Sequence, residues 1–238
     1  MHIFLGVRNN FTQDLPWVGI VCAGVKQFNF AVRDDVNEAL DKDLVIIGNE
    51  TGILDPVNLP RPKDVAHFWN ANMTRKAVLR SSVSREVMHL ATLHPERNLT
   101  LFCDIFGKRG KDGRNGVSHE YTQALLEFKV VVLAQRDRYE DHFRLFEAMT
   151  SGALIMSDQA LAFPWGIVDT DTIVVYKTIQ EMQDKILYYL DHPEERLRIA
   201  WARRDLALNH HRRWHRYEDL LLGDWSQRDE YGVSLLHP

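Results

Sequence analysis

One short stretch of this 238-residue chain sets a guanidinium and a carboxylate on one helix face. Arg144 and Glu147 stand three residues apart in Arg144-Leu-Phe-Glu147-Ala-Met-Thr-Ser-Gly152-Ala-Leu-Ile-Met-Ser-Asp158, so on a helix they lie one turn apart on the same face. A rigid guanidinium fork suits oxyanions. A carboxylate accepts hydrogen bonds from hydroxyl groups. Gly152 lets a turn come close to whatever lies beside it. The same spacing also allows a plain surface ion pair between Arg144 and Glu147. A second candidate is the loop Gly107-Lys108-Arg109-Gly110-Lys111-Asp112-Gly113-Arg114. It either offers Lys108, Arg109 or Lys111 to a phosphate or is a solvated turn. It lacks the Gly-Lys-Ser/Thr ending of a P-loop.

Other residues suit metal chemistry by type and not by context. Asp169-Thr170-Asp171 has the paired-carboxylate spacing that can hold a divalent ion, but it precedes a strand instead of ending one and reads as a turn. His210, His211 and His215 contain an i, i+4 pair that would suit zinc. No acidic helix motif accompanies them, so a solvated face is expected. The Arg203–Arg216 cluster, with Trp214 inside it, reads as a charged outer helix face. No metal site is therefore expected.

The bulk numbers bound the class. Hydrophobic residues make up 45% and charged residues 26%, as in an ordinary globular protein. The net charge of -4 argues against nucleic-acid binding through global charge. Cys22 and Cys103 sit in apolar runs without a CxxC pair, which reads as two buried thiols in a reducing compartment. Residues 1–10 do not read as a signal peptide. The longest apolar run, Trp17 to Val25, falls short of a ~20-residue membrane span. A cytoplasmic location is the default expectation. Asn-x-Thr sequons at Asn10, Asn49, Asn72 and Asn98 keep a Golgi lumen open for a chain that is a fragment.

The elements that must position these residues alternate after about Arg61. Strands are expected at Asp64–Trp69, Asn98–Phe102, Lys129–Ala134, Ala153–Met156 and Thr172–Tyr176. Helices are expected at Thr74–Leu93, Glu120–Phe128 and His142–Thr150, the last stopping at Ser151-Gly152. The run Lys129-Val-Val-Val-Leu-Ala134 suits a strand buried on both faces. Thr178-Ile-Gln-Glu181 is a capping box that opens a further helix. Asp191-His-Pro193 ends that helix and starts the last one, expected to reach about Leu222. Leu44–Gly48 is a strand candidate, and Pro56, Pro60 and Pro62 mark a linker. Strand and helix in alternation imply a parallel sheet with right-handed crossovers.

The Arg144–Asp158 stretch resembles the R-x-x-E-A-x-x-x-G-x-x-x-x-x-D donor-site pattern of GT-B glycosyltransferases. The nearest group is the spore-coat-glycosyltransferase-like branch of the group 1 transferases, with exostosins more distant. Tyr121-x-x-x-Leu125-Leu with Val130-Val-Val-Leu, Val174-Val-Tyr176 with Glu181 and His192-Pro193-Glu194-Glu195-Arg196, and His211 to Leu221 are similar to family segments in the same order. The resemblance covers about Lys63 to Leu222. It implies a Rossmann-like parallel sheet flanked by helices, the C-terminal half of a GT-B fold, over residues 63–225. Residues 1–62 are then a short, incomplete N-terminal segment, and 226–238 a tail. It further implies that Glu147 accepts bonds from the ribose of a nucleoside-diphosphate sugar and that Arg144 lies near the diphosphate. Many relatives carry an acid where this chain has Tyr139, so Glu140 or Asp141 takes that place. The donor-binding set is Arg144, Glu147, Glu140, Gly152, Lys108 and Arg109, with no cofactor beyond the donor. The implied activity is transfer of a hexosyl or pentosyl group to an unnamed acceptor. The alternative is a non-catalytic nucleotide-sugar-binding module, or the donor-binding subunit of a split transferase. A partner chain or self-association through the apolar N-terminal segment is expected.

Overall fold

A computed structural model describes residue 32 and residues 34–72, 78–105, 118–134, 143–159, 163, 165–212 and 214–215. Its elements are α1 (Asp34–Thr51), β1 (Lys63–His67), α2 (Val78–Leu93), β2 (Leu101–Cys103), α3 (His119–Glu127), β3 (Phe128–Leu133), α4 (Phe143–Met149), β4 (Leu154–Asp158), β5 (Val174–Tyr176), α5 (Ile179–Asp191) and α6 (Pro193–His210). All five strands are parallel, in the order β2-β1-β3-β4-β5. The chain first steps outward from β1 to β2. It then returns past β1 to β3 and continues to β5. That reversal puts the topological switch point between β1 and β3.

The pleat divides the core into two layers. Val65, Val130, Val132, Leu154 and Met156 face Val83, Val87 and Leu90 of α2 and Met182 and Ile186 of α5. Ala66, Val131, Leu133 and Ile155 face Leu125 of α3 and Leu145, Phe146 and Met149 of α4. Helices therefore cover both faces, which makes this a doubly wound, Rossmann-like α/β sheet. The expected two-sided burial of the Lys129–Ala134 run is met: Val130, Val131 and Val132 are each 0% exposed. Among the described residues, no helix is long and apolar enough to cross a membrane.

Local signals explain several boundaries. Thr178 caps α5, its hydroxyl oxygen accepting from the Glu181 N–H at 3.1 Å. Glu181 returns to the N–H of Lys177, one residue before the cap, at 2.8 Å. Pro193 opens α6 at a first-turn position, with Glu194 and Glu195 beside the positive dipole end.

Two expectations are corrected. Leu44–Gly48 is not a strand but lies inside α1. The apolar run is the end of a helical stripe, Val36, Leu40 and Leu44, which is buried while Val45 and Ile46 are 52% and 56% exposed. The last helix ends at His210, not near Leu222. Its backbone is diverted there, because the His211 carbonyl accepts from the Val32 N–H at 2.6 Å and Arg212 bridges Val32.

The amino edge of the sheet is held by arginines. Arg61 Nη1 donates to the carbonyls of Leu125 (2.7 Å) and Phe128 (2.8 Å), and Nη2 to those of Pro56 (2.8 Å) and Ser151. Arg203 donates to the carbonyls of Met149 (3.2 Å) and Ala153, and Arg204 to that of Thr150 (3.3 Å). The carbonyls that end α4 thus meet cations, as the helix dipole favours. Burial, with the charge of Arg196 acting on Arg61 and that of Arg61 acting on Arg203, pushes both guanidiniums down to about 9.

Candidate functional site

Ligands of open α/β sheets bind beyond the carboxyl ends of the strands, at the switch point. Here that point is the edge where β1 ends at His67 and β3 ends at Leu133. Helix α4 follows β3, so its first turn sits at this edge, and it carries Arg144. The Arg144 guanidinium reaches across to β1 and donates through Nη1 to the carbonyl of Phe68. Glu147, one turn on, is 5% exposed, and its Oε2 accepts from the Tyr121 hydroxyl at 3.0 Å. The two side chains therefore go to different partners instead of forming the surface ion pair their spacing allows. Tyr121 lies in the first turn of α3, its ring edge-on to Phe68 at 5.0 Å. Phe68, Tyr121, Arg144 and Glu147 form one cluster drawn from the residue after β1, from α3 and from α4.

A second cation stands at the same edge. Arg80, in the first turn of α2, is buried, donates through Nε to the Ala134 carbonyl at 2.7 Å, and lies 5.2 Å over the Trp69 ring. Between the strands sits His67, its Nδ1 2.8 Å from the Val132 carbonyl and its Nε2 3.2 Å from the Arg80 carbonyl. Burial, aided by the charges of Arg144 and Arg80, pushes His67 down to about 4. The ring is neutral at pH 7, so one nitrogen donates and the other faces a carbonyl with its lone pair. Two guanidiniums thus flank the switch point with no charge on the histidine between them. Such an arrangement attracts a polyanion. Tyr176 closes the far side, its hydroxyl donating to the Leu133 carbonyl at 2.7 Å.

Arg80, His67 and Trp69 were not singled out from the sequence. The available signal for Arg80 was its register: it is four residues before Ser84 and seven before Val87, both 0% exposed, so a charged side chain stands on the buried stripe of α2.

The remaining expected residues fall elsewhere. Lys108, Arg109, Lys111, Glu140, Tyr139 and Asp141 lie outside the described residues. Gly152 stands past the other end of α4, before β4, with φ +80. A Cβ there would fall 2.5 Å from the Pro56 carbonyl carbon. Its close approach is to the chain's own backbone and not beside Arg144 and Glu147. Asp169-Thr170-Asp171 forms a turn in which the Val168 carbonyl accepts from the N–H groups of Asp171, Thr172 and Ile173, and Asp169 Oδ1 accepts from the Val175 N–H at 2.7 Å. Among the described residues, no three His, Cys, Asp or Glu side chains gather as metal ligands would.

Two solvated-face expectations are corrected. His211 and His215 are 1% and 5% exposed. His211 Nε2 meets the Trp165 carbonyl at 2.8 Å, and His215 Nδ1 accepts from the Arg212 N–H at 3.1 Å. Arg203, placed on an outer face, is 0% exposed in the brace described above. The orphaned carbonyl that ends α4 demands a donor inside the fold, and Arg203 supplies it.

A family model described as glycosyl transferase-like matches residues 80–222. No curated protein matches the chain. A solved C-terminal domain of a glycosyl transferase group 1 family protein from Francisella tularensis is 14% identical, with a TM-score of 0.46, over 78% of this chain and 97% of that one.

Proposed function

This chain belongs to the glycosyl transferase-like family, and we propose that it binds a nucleoside-diphosphate sugar at the β1/β3 switch point as the donor domain of a GT-B-type enzyme. The sugar, a hexose or pentose, passes to an acceptor hydroxyl. The observation that carries this reading is the buried carboxylate of Glu147, held by Tyr121 one helical turn from Arg144. A carboxylate withdrawn from water is costly unless it is well hydrogen-bonded. The ribose hydroxyls are donors that suit a carboxylate acceptor at this edge.

The chemistry requires the departing diphosphate's growing charge to be offset. On this reading Arg144 and Arg80 offset that charge, since fixed cations stabilise a transition state without reorganising. Donor binding on this reading needs no divalent ion.

The test is Glu147→Gln, which keeps the shape and an acceptor for Tyr121 while removing the charge. A hydrogen bond to a charged group is worth about 1.5–3 kcal/mol, so the Kd for a nucleoside diphosphate should rise about ten- to a hundredfold. Unchanged affinity by calorimetry, with an intact far-ultraviolet spectrum, removes Glu147 from the site.

A further inference from the structure

Both ring nitrogens of His67 meet carbonyl oxygens, Nδ1 that of Val132 at 2.8 Å and Nε2 that of Arg80 at 3.2 Å. A neutral imidazole has one N–H and can satisfy only one of them, whereas the imidazolium donates to both. The ring is 3% exposed, so bulk water offers the second nitrogen little. Its hydrogen-bonding surroundings therefore suit a charged ring. The charges around it oppose one: Arg80 of α2 and Arg144 of α4 both act against its proton. The donor site described above uses these two guanidiniums and gives His67 no task.

The ring stands at the switch point itself. It is the last residue of β1, and it joins β1 to β3 through the Val132 carbonyl and to the first turn of α2 through the Arg80 carbonyl. The other ties on that turn are weaker ones: Trp69 Nε1 donates to the Ser81 hydroxyl at 3.3 Å, and the Ser84 hydroxyl lies 2.8 Å from the Trp69 carbonyl and 3.0 Å from that of Arg80. Other titratable groups stand on the elements around the ring. Burial pushes the Cys103 thiol of β2 up to about 12 and the Tyr176 hydroxyl of β5 well above its ordinary value, so both are uncharged. Asp158 closes β4, and its charge acts on Tyr176. Lys185 of α5 is taken by Glu181 and the Val175 carbonyl. Glu147 of α4 holds the Tyr121 hydroxyl.

We propose that His67 is the positioning residue for Arg80 and that it takes up a proton from solvent when a nucleoside-diphosphate sugar binds at the switch point; this rests on the donor reading above. The diphosphate offsets the two guanidinium charges, and a nearby negative charge favours the protonated ring. The proton goes to the ring nitrogen whose lone pair faced a carbonyl. The imidazolium then donates to Val132 and Arg80 together, and such charge-assisted bonds are the shorter and stronger kind. The first turn of α2, and Arg80 with it, is held more firmly when the site is loaded. The coupling is reciprocal. A ligand that raises the ring's proton affinity is bound more tightly as protons become available. Affinity therefore rises as the pH falls through the loaded-site value of His67, and it levels off near the empty-site value of about 4.

The test uses the full chain with UDP-glucose and GDP-mannose, whose diphosphates do not titrate between about pH 5 and pH 8. Calorimetry near pH 5.5 in two buffers of different ionisation enthalpy should show protons taken up on binding. Affinity should rise about tenfold from pH 8 to pH 5 if the loaded ring returns near its ordinary value. His67→Gln, with His67→Asn as a second variant, should bind without uptake and with a flat profile. Arg80→Gln removes the charge that the ring answers to; it should bind at least tenfold more weakly, with a shallower profile. A change under twofold in the unaltered chain overturns the proposal. So does uptake that persists in a folded His67 variant, or a full slope in Arg80→Gln. If neither His67 variant folds, NMR of the unaltered chain decides. The histidine ring with nuclear Overhauser contacts to Val132 should titrate at least about one pH unit higher with nucleotide sugar bound, and an unmoved titration overturns the proposal. Absence of binding of either nucleotide sugar to the unaltered chain from pH 5 to pH 8 instead overturns the donor reading, and this proposal with it.

Discussion

Replacing Gly152 with alanine puts a methyl group where the chain leaves no room. The added Cβ would meet the carbonyl carbon and oxygen of Pro56 at 2.5 Å each and the nitrogen of Val57 at 2.6 Å. All three are backbone atoms, so no side chain can swing aside. The φ of +80 adds a second cost, about 1–2 kcal/mol for a left-handed non-glycine residue. Forcing extra volume into a packed site costs about 1–3 kcal/mol. Together these predict a loss of about 2–5 kcal/mol. At about 2–4 °C per kcal/mol for a chain of this size, the midpoint should drop by about 4–20 °C. Gly52 is the internal control: its φ is +76, but a Cβ there meets nothing within 4 Å. Gly52→Ala should show the conformational cost alone. Urea and thermal unfolding of both variants give the two values, and their difference is the contact. A Gly152→Ala loss no larger than that of Gly52→Ala would refute the packing argument. The same variant separates two roles. Gly152 lies past the far end of α4 from Arg144, so nucleotide affinity well below the midpoint should stay within about twofold. A large affinity loss in a folded variant would return Gly152 to the ligand site.

His67 predicts acid sensitivity. Its folded value is about 4 against an ordinary 6.5, so below pH 6.5 the unfolded chain binds a proton that the folded chain refuses. Stability present above pH 6.5 is lost as the pH falls toward 4, by about 3 kcal/mol at most. His67→Gln should flatten that part of the urea-midpoint profile, and an unaltered profile counts against it. Arg203→Met orphans the carbonyls of Met149 and Ala153 and should cost about 1–3 kcal/mol for each; a loss under 1 kcal/mol would show that water replaces the guanidinium. Donor binding should be equal in excess EDTA and in added Mn²⁺, and Asp171→Ala should leave it unchanged. Loss of binding in both would identify a metal-dependent site.

The sheet was legible because its strands announce themselves. Val130 to Val132 can only be comfortable between two apolar layers, and Thr178 with Glu181 fixes where α5 begins. Helix α1 was missed because Leu44–Gly48 was read alone, without the earlier stripe at Val36 and Leu40 that gives it a helical period. Arg203 and His211 were misplaced for a related reason. Polar residues near a helix end look solvated unless one knows which carbonyls end nearby, and Met149, Ala153 and Trp165 are distant in sequence. The pairing of Asp43 on α1 with His119 on α3 was invisible, since nothing in sequence spacing brings those two helices together.

The arginine brace makes α4 a lever gripped at one end. Its last carbonyl and those of the two residues after it are held by Arg203, Arg204 and Arg61, whereas its first turn carries Arg144 at the ligand edge. Local opening in proteins follows the least-anchored segments. Amide hydrogen exchange should therefore be graded along this short helix, slow at Ala148 and Met149 and faster toward Arg144. A bound nucleotide should slow the fast end and leave the slow end as it was, so that the pattern of protection along one helix reports occupancy.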